Sequence, residues 1–415
     1  MSDLNDVGVG EVRPHRRSVV AAAALAGAVL VAACGAGREE TQMGEPRRLV
    51  KVGVIVPLSG SLSALGVGIR NGADLAVRQA NERKKIKGWT VVLDAQDDQG
   101  VPDVGANAAA KLSDDPAVVA VIGTFNSSVA EKAAPILGGR KIVMVSPANS
   151  NPTLTQGADP TRKVRPFPNY FRVVTTDAIQ GPFAAEFAYG TLGARTVVVV
   201  HDKKIYGQGL ALAFKAHFEK QGGVVPTVET VEPDDKDFSA VLAKLKRYRP
   251  DLIYYGGEYP AASLLTIQAE QQGLKMPLMS GDGVYSATYI GIAGRAAEGD
   301  YATSQGAPPD RLPAAKDFFA AYKAAGYPEP AEAFGPYAYD AANVIIEALA
   351  KVLPGQDEID DPLRQRLRQA VQDINLAGVT GTVAFDEFGD TTTRVLTVYK
   401  VQSGAWIPQK TADFK

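Results

Sequence analysis

From residue 49 onward, short apolar runs alternate with segments whose apolar positions recur every three or four residues. Residues 49–56 read as a buried strand, closed by Pro57 and Gly60. Ile69, Ala73, Ala76, Val77 and Ala80 then follow at helical spacing. Strands are predicted at 90–93, 118–122 and 142–145, with helices at 104–112 and 129–137 between them. After residues 171–175 the rhythm restarts. Strands are predicted at 196–200, 224–231, 252–255 and 277–279, and helices at 210–221, 238–247 and 261–272. The helix at 210–221 is stopped by Gly222 and Gly223. Further helices are expected at 314–325, 337–352 and 363–373, and the chain closes on a hairpin formed by 394–401 and the Trp406 region. Near-continuous apolar strands separated by helices imply parallel sheets covered on both faces, and two such series imply two α/β lobes.

A chain of 415 residues is long enough for two cores. Its net charge of −2 comes from signs spread along the sequence, and no basic stripe marks a nucleic-acid partner. The N-terminal segment changes the picture more. Arg13, Arg16 and Arg17 precede an apolar run over 19–33, the layout of an export signal. That run is shorter than the ~20 residues a spanning helix needs. It ends in Val31-Ala32-Ala33-Cys34-Gly35, and Cys34 is the protein's one cysteine. The pattern resembles the lipobox of bacterial lipoproteins, so 1–33 is expected to be removed and Cys34 lipidated. A lone thiol has no internal disulfide partner, which lipidation would explain. Arg16-Arg17 leaves both general and twin-arginine export open. Residues 34–48, with Gly44 and Pro46, read as a flexible tether.

Doubly wound sheets bind ligands beyond the carboxyl ends of their strands. Those ends carry Pro57-Leu58-Ser59-Gly60, Gly123-Thr124-Phe125-Asn126-Ser127-Ser128, Ser146-Pro147-Ala148-Asn149-Ser150, His201-Asp202-Lys203-Lys204-Ile205-Tyr206-Gly207, Tyr254-Tyr255-Gly256-Gly257-Glu258-Tyr259 and Ser280-Gly281-Asp282-Gly283. In this order and spacing the chain resembles the leucine/isoleucine/valine-binding proteins, within the type I periplasmic binding proteins, over residues 49–406. The resemblance implies two Rossmann-like lobes with parallel-rich sheets, joined by a multi-crossover hinge. One lobe would comprise 49–175 with 303–389 and the other 176–302 with 390–408, the chain crossing near Thr175, Thr303 and Gly389. It further implies a monomer that captures an amino acid, with leucine, isoleucine or valine expected. The complex would be delivered to the permease subunits of an ABC importer outside the cytoplasmic membrane.

Residue by residue, Ser127 opens a helix, where its hydroxyl and neighbouring N–H groups suit a carboxylate. The family position matching Ala148 offers backbone to the ligand, and that matching Ser150 a hydroxyl. Asp282 matches an acid that pairs with the ligand ammonium, and Tyr206 an aromatic lining the cleft. Phe125 supplies an apolar wall. Three positions depart from the family: Leu65 replaces an aromatic over the ligand, Glu258 replaces a tyrosine, and Asn126 replaces a cysteine. Were Glu258 to face the cleft beside Asp282, two carboxylates would meet one ammonium, and a polar amino acid or small amide would fit better. Were it to meet a lysine, the branched-chain assignment stands.

Catalytic signatures are missing. There are three histidines, no Cys/His metal spacing, no phosphate loop and no nucleophile elbow, so neither an enzyme nor a cofactor is expected. Gly66, Gly68 and Gly72 are read as close helix packing. A ligand-sensing receptor subunit shares the fold; transport is favoured because no spanning helix or signalling domain is read before Lys415.

Overall fold

The computed structural model describes residues 48–414, so the expected signal, Cys34 and all of the tether but Arg48 lie outside the described residues. Each half of the molecule is built on a sheet whose central strands are buried. β1 (Arg48–Val56), β2 (Trp89–Asp97), β3 (Val118–Gly123), β4 (Val143–Ser146) and β5 (Tyr170–Arg172) form a parallel sheet in the order β2-β1-β3-β4-β5. β3 and β4 are buried along their whole length, as expected of strands covered on both faces. Their cover comes from α1 (Ser63–Glu82), α2 (Pro102–Ser113) and α3 (Ser127–Gly139), with the short α4 (Thr153–Gln156) following β4. Among the described residues no helix is long and apolar enough to cross a membrane.

The chain then enters a seven-stranded sheet. α5 (Asp177–Glu186) precedes β6 (Val197–His201), α6 (Ile205–Lys220), β7 (Val228–Thr230), α7 (Ser239–Lys246), β8 (Leu252–Gly256), α8 (Tyr259–Gln271), β9 (Leu278–Ser280), α9 (Ala287–Ala293) and β10 (Tyr301–Gln305). After β10 it returns to the first half, where α10 (Pro313–Ala324), α11 (Gly335–Val352) and α12 (Asp361–Gln372) lie, α11 packing on α1, β3 and β4. A small hairpin, β11 (Asn375–Gly378) and β12 (Gly381–Ala384), precedes the last crossing. β13 (Val395–Gln402) and β14 (Ala405–Asp413) then extend the second sheet antiparallel, giving the order β14-β13-β10-β9-β8-β6-β7. Their turn places Ser403 and Gly404 at φ 51° and 73°, the left-handed pair of a tight hairpin.

Several elements differ from expectation for identifiable reasons. The strand expected over 224–231 shrinks to Val228–Thr230, because Pro226 has no N–H to give the ladder. α6 starts five residues earlier than periodicity predicts. Gly207 there is not a breaker: a Cβ on it would stand 2.5 Å from Gly256 O, so it lets α6 press on β8. α5 was hidden by Gly181-Pro182, and Gly181 proves to be a contact point, its added Cβ falling 2.8 Å from Phe214 N of α6. β10 runs on to Gln305 in the second sheet, past the crossing expected near Thr303. Gly66, Gly68 and Gly72, expected to pack a helix on the sheet, are close-packing glycines, but added Cβ atoms would lie 1.9, 2.5 and 2.2 Å from backbone oxygens of Pro57, Ala331 and Gly335, so the contacts are to the loop after β1 and to the start of α11 and the segment before it.

Candidate functional site

Several of the strand-end motifs converge on one small cavity between the halves. Phe125, Asn126, Ser127, Ala148 and Phe334 line it from the first half; Tyr206, Glu258, Asp282 and Gly283 line it from the second. The convergence follows from topology, since β3 and β4 on one side, and β6, β8 and β9 on the other, all present their carboxyl ends to it. Ser127 opens α3, so its N–H belongs to the first-turn donors that have no partner within the helix. Its hydroxyl accepts from Asn151 N–H at 3.4 Å.

Opposite, Asp282 is buried and held from both sides. Its Oδ1 accepts from the Tyr206 hydroxyl at 2.8 Å and its Oδ2 from Gln305 Nε2 at 3.0 Å. Burial pushes the Asp282 carboxyl above the ordinary range, and the bonds from Gln305 and Tyr206 oppose that shift. The Tyr206 hydroxyl in turn accepts from Gly283 N–H at 3.0 Å. A positive group entering here would meet a desolvated carboxylate whose remaining capacity is unspent.

Glu258 lies at the edge of the same cavity but is committed elsewhere. Lys204 Nζ stands 3.1 Å from its Oε2, and Asn126 Nδ2 donates to its Oε1 at 2.7 Å. Burial works against the Lys204 charge, yet Glu258 and Asp202 outweigh it and raise that pKa. Burial, reinforced by Glu258, drives the Asp202 carboxyl well up. Glu258 therefore meets a lysine while also sharing the cavity wall with Asp282.

Leu65 is corrected. It is fully buried in the core and is not part of the cavity lining. Ser150 also lies outside the lining, buried, its Oγ without a hydrogen-bond partner. Sequence reasoning missed Phe334, which lines the cavity, and did not single out Asp177, a buried acid outside the lining. Phe334, edge-on to Phe125 at 5.5 Å, comes from the loop before α11, where no strand end announces it. Asp177, the first residue of α5, is buried with neither carboxylate oxygen bonded. Burial pushes its carboxyl up to about 8, with the charge of Asp282 adding to the shift. Its signal was present: an acid just past the strand that closes the first βα series.

A larger crevice lies between Tyr285, Tyr337, Tyr399 and Trp406. Its one carboxylate, Glu332, is already bonded by the Ser286 hydroxyl at 2.9 Å, and the two longer helices that start at its wall, α10 and α11, carry Pro313 and Pro336 in their first turns. The smaller cavity is the one that pairs donors with a carboxylate. Among the described residues no cluster of three or more His, Cys, Asp or Glu is placed to hold a metal ion.

A family model described as periplasmic binding protein matches residues 49–405. The chain is similar to Leu/Ile/Val-binding protein homolog 3 of Brucella melitensis, at 32% identity over 356 residues, 86% of this chain and 92% of that one. Among solved structures it resembles the leucine binding protein LivK of Thermotoga maritima, with TM-score 0.78 and 32% identity over 88% of this chain and 99% of the other. The fold is also that of LivJ from Streptococcus pneumoniae, solved in complex with isoleucine, at TM-score 0.76 and 24% identity over 87% and 100% of the two chains.

Proposed function

The chain belongs to the periplasmic binding proteins, in the type I group of the leucine/isoleucine/valine-binding family, and on that premise we propose that it captures a branched-chain amino acid between its halves for an ABC importer. The family is one of binding proteins, not of enzymes. The observation that carries the reading is the opposition of Ser127, at the start of α3, and buried Asp282 across one small cavity. An α-amino acid presents a carboxylate and an ammonium on one carbon, and this pair of groups complements it. Ser127 and the first turn of α3 take the carboxylate, with Ala148 and Ser150 beside them. Asp282, steadied by Tyr206 and Gln305, takes the ammonium. Phe125, Phe334 and the Tyr206 ring flank the side chain.

The chain is expected to cross between lobes beyond β5, beyond β10 and between β12 and β13, and to close about these hinges on its ligand. A thermal-shift panel of the common amino acids tests the ligand. Leucine, isoleucine or valine at a hundred times its Kd is expected to add ~2.7 kcal/mol of stability. Stabilisation by glutamine, arginine or a small amide, with none from the branched-chain set, would overturn the ligand and keep the class.

Export and lipidation at Cys34 complete the reading, with the mature protein anchored as a monomer at the outer face of the cytoplasmic membrane. Cys34→Ser is expected to move it from the membrane fraction to the soluble one. An unchanged membrane fraction would contradict the anchor. The sensing alternative is separated by reconstitution with the permease, which a sensor would not drive.

A further inference from the structure

Two of the positions that depart from the family, Asn126 and Glu258, touch each other. Asn126 is the N-cap of α3 and Glu258 the N-cap of α8, yet neither side chain caps its own helix. They meet across the cleft instead, Asn126 Nδ2 donating to Glu258 Oε1 at 2.7 Å, with both residues buried. Lys204, the N-cap of α6, closes the group by reaching Glu258 Oε2 at 3.1 Å. Three helix starts, one from the first half and two from the second, are thereby tied through one carboxylate. We propose that Glu258 is a clasp that holds the closed state and positions the carboxylate-binding turn of α3, and that it does not read the ligand side chain.

The inference deepens the amino-acid-binding reading and rests on it. The logic is one of commitment. Each Glu258 oxygen already accepts a strong bond, one from a neutral amide and one from an ammonium, so the carboxylate has its best partners inside the protein. Lys204 supplies the charge that a buried carboxylate requires. Asn126 directly precedes Ser127, so fixing the Asn126 side chain against the second half fixes the turn that meets the ligand carboxylate. A reciprocal contact stands on the other flank. There the first half sends Glu332 to the hydroxyl of Ser286, which itself caps α9 by accepting from Thr288 N–H at 3.0 Å. Tyr259, next to Glu258, adds a further bond across the cleft, donating to Ser61 O at 2.5 Å. Glu258 is the member of this set that combines a charge with a place on the cavity wall.

A contact made only on closure should govern release rather than encounter. The test compares wild type with Glu258→Ala, Glu258→Gln and Asn126→Ala, using leucine, isoleucine and valine as probes. Glu258→Ala is expected to weaken all three by the same factor, about 10- to 100-fold, through faster dissociation. Glu258→Gln should recover part of the loss by still accepting from Asn126. Asn126→Ala should add little on top of Glu258→Ala, the signature of one shared interaction. Unequal factors for the three ligands would show that Glu258 reads the side chain, and an unaltered dissociation rate would show that there is no clasp; either overturns the proposal. Spin labels at exposed Asp114 and Gln271 supply an arm that needs no ligand. The closed population of the unliganded protein should shrink in Glu258→Ala. An identical distance distribution would overturn the clasp, whereas a wild type that binds none of the three amino acids would overturn only the ligand assignment.

Discussion

Replacing Asp282 by Asn is expected to weaken amino-acid binding by between about 30-fold and a few thousandfold. The carboxylate is buried and receives Tyr206 and Gln305, both positioned to hold it toward an ammonium. An amide of the same shape keeps the packing and loses the charge. It also turns one acceptor into a donor, which must then turn toward Tyr206, whose hydroxyl has to accept where it now donates, since Gln305 Nε2 can only donate. Leu65→Ala provides the contrast. Leu65 is a core residue with no exposure, so its truncation should cost about 2–5 kcal/mol of stability and leave affinity within about threefold. Calorimetry and melting curves on both variants read the two effects separately. Comparable affinity losses would mean that Asp282 is only a turn residue.

Asp390→Ala is expected to destabilise the protein by about 3–5 kcal/mol, the scale for orphaning one member of a buried ion pair. Arg172 has no exposure, and its Nε donates to Asp390 Oδ1 at 2.7 Å. Its remaining donors go to the carbonyls of Asn149 and Asn151, at 3.0 and 2.8 Å, and to the Thr155 hydroxyl. The pair also pins two stretches that leave the first sheet, since Arg172 N–H donates to Gly389 O at 3.0 Å. Burial alone would raise the Asp390 carboxyl, but Arg172, Gln156 and Thr155 outweigh it and hold it below the ordinary value. A depressed carboxyl contributes stability above its unfolded pKa of about 3.9, and that stability is lost as pH falls through the folded value. The gap between wild type and Asp390→Ala should therefore be full at neutral pH and narrow below about pH 4. Denaturant titrations at several pH values measure it, and a gap independent of pH would contradict this account.

What the chain disclosed in advance was governed by how each element is buried. β3, β4, β6 and β8 are apolar along their length, so they read plainly, and so did the residues at their carboxyl ends. Ser127, Ala148 and Tyr206, which follow β3, β4 and β6, line the cavity, as does Asp282 beyond β9. β10 stayed hidden because its Thr303, Ser304 and Gln305 are buried polar residues, two of them satisfied by distant partners. Gln180 donates to the Thr303 hydroxyl at 2.9 Å, and Gln305 Oε1 accepts from Thr175 N–H at 3.1 Å. No local pattern foretells bonds that span more than a hundred residues. Phe334 was missed for a related cause, reaching the cavity from a segment that is not a predicted strand end. Leu65 failed differently. The family position was matched, but the shorter aliphatic side chain turns into the core of the first half. The role of Glu258 could not be read from residue type, because it depends on Lys204 and Asn126 standing on other elements.

Calorimetric titration of the mature protein with leucine, isoleucine and valine tests the central claim most directly. The account predicts saturable binding to a single site, a negative heat-capacity change from apolar burial, and recovery of the amino acid unchanged on dialysis. No heat and no stabilisation with any of the three, while a chemically unrelated solute saturates the same cavity and protects Asp282 and Ser127, would contradict it.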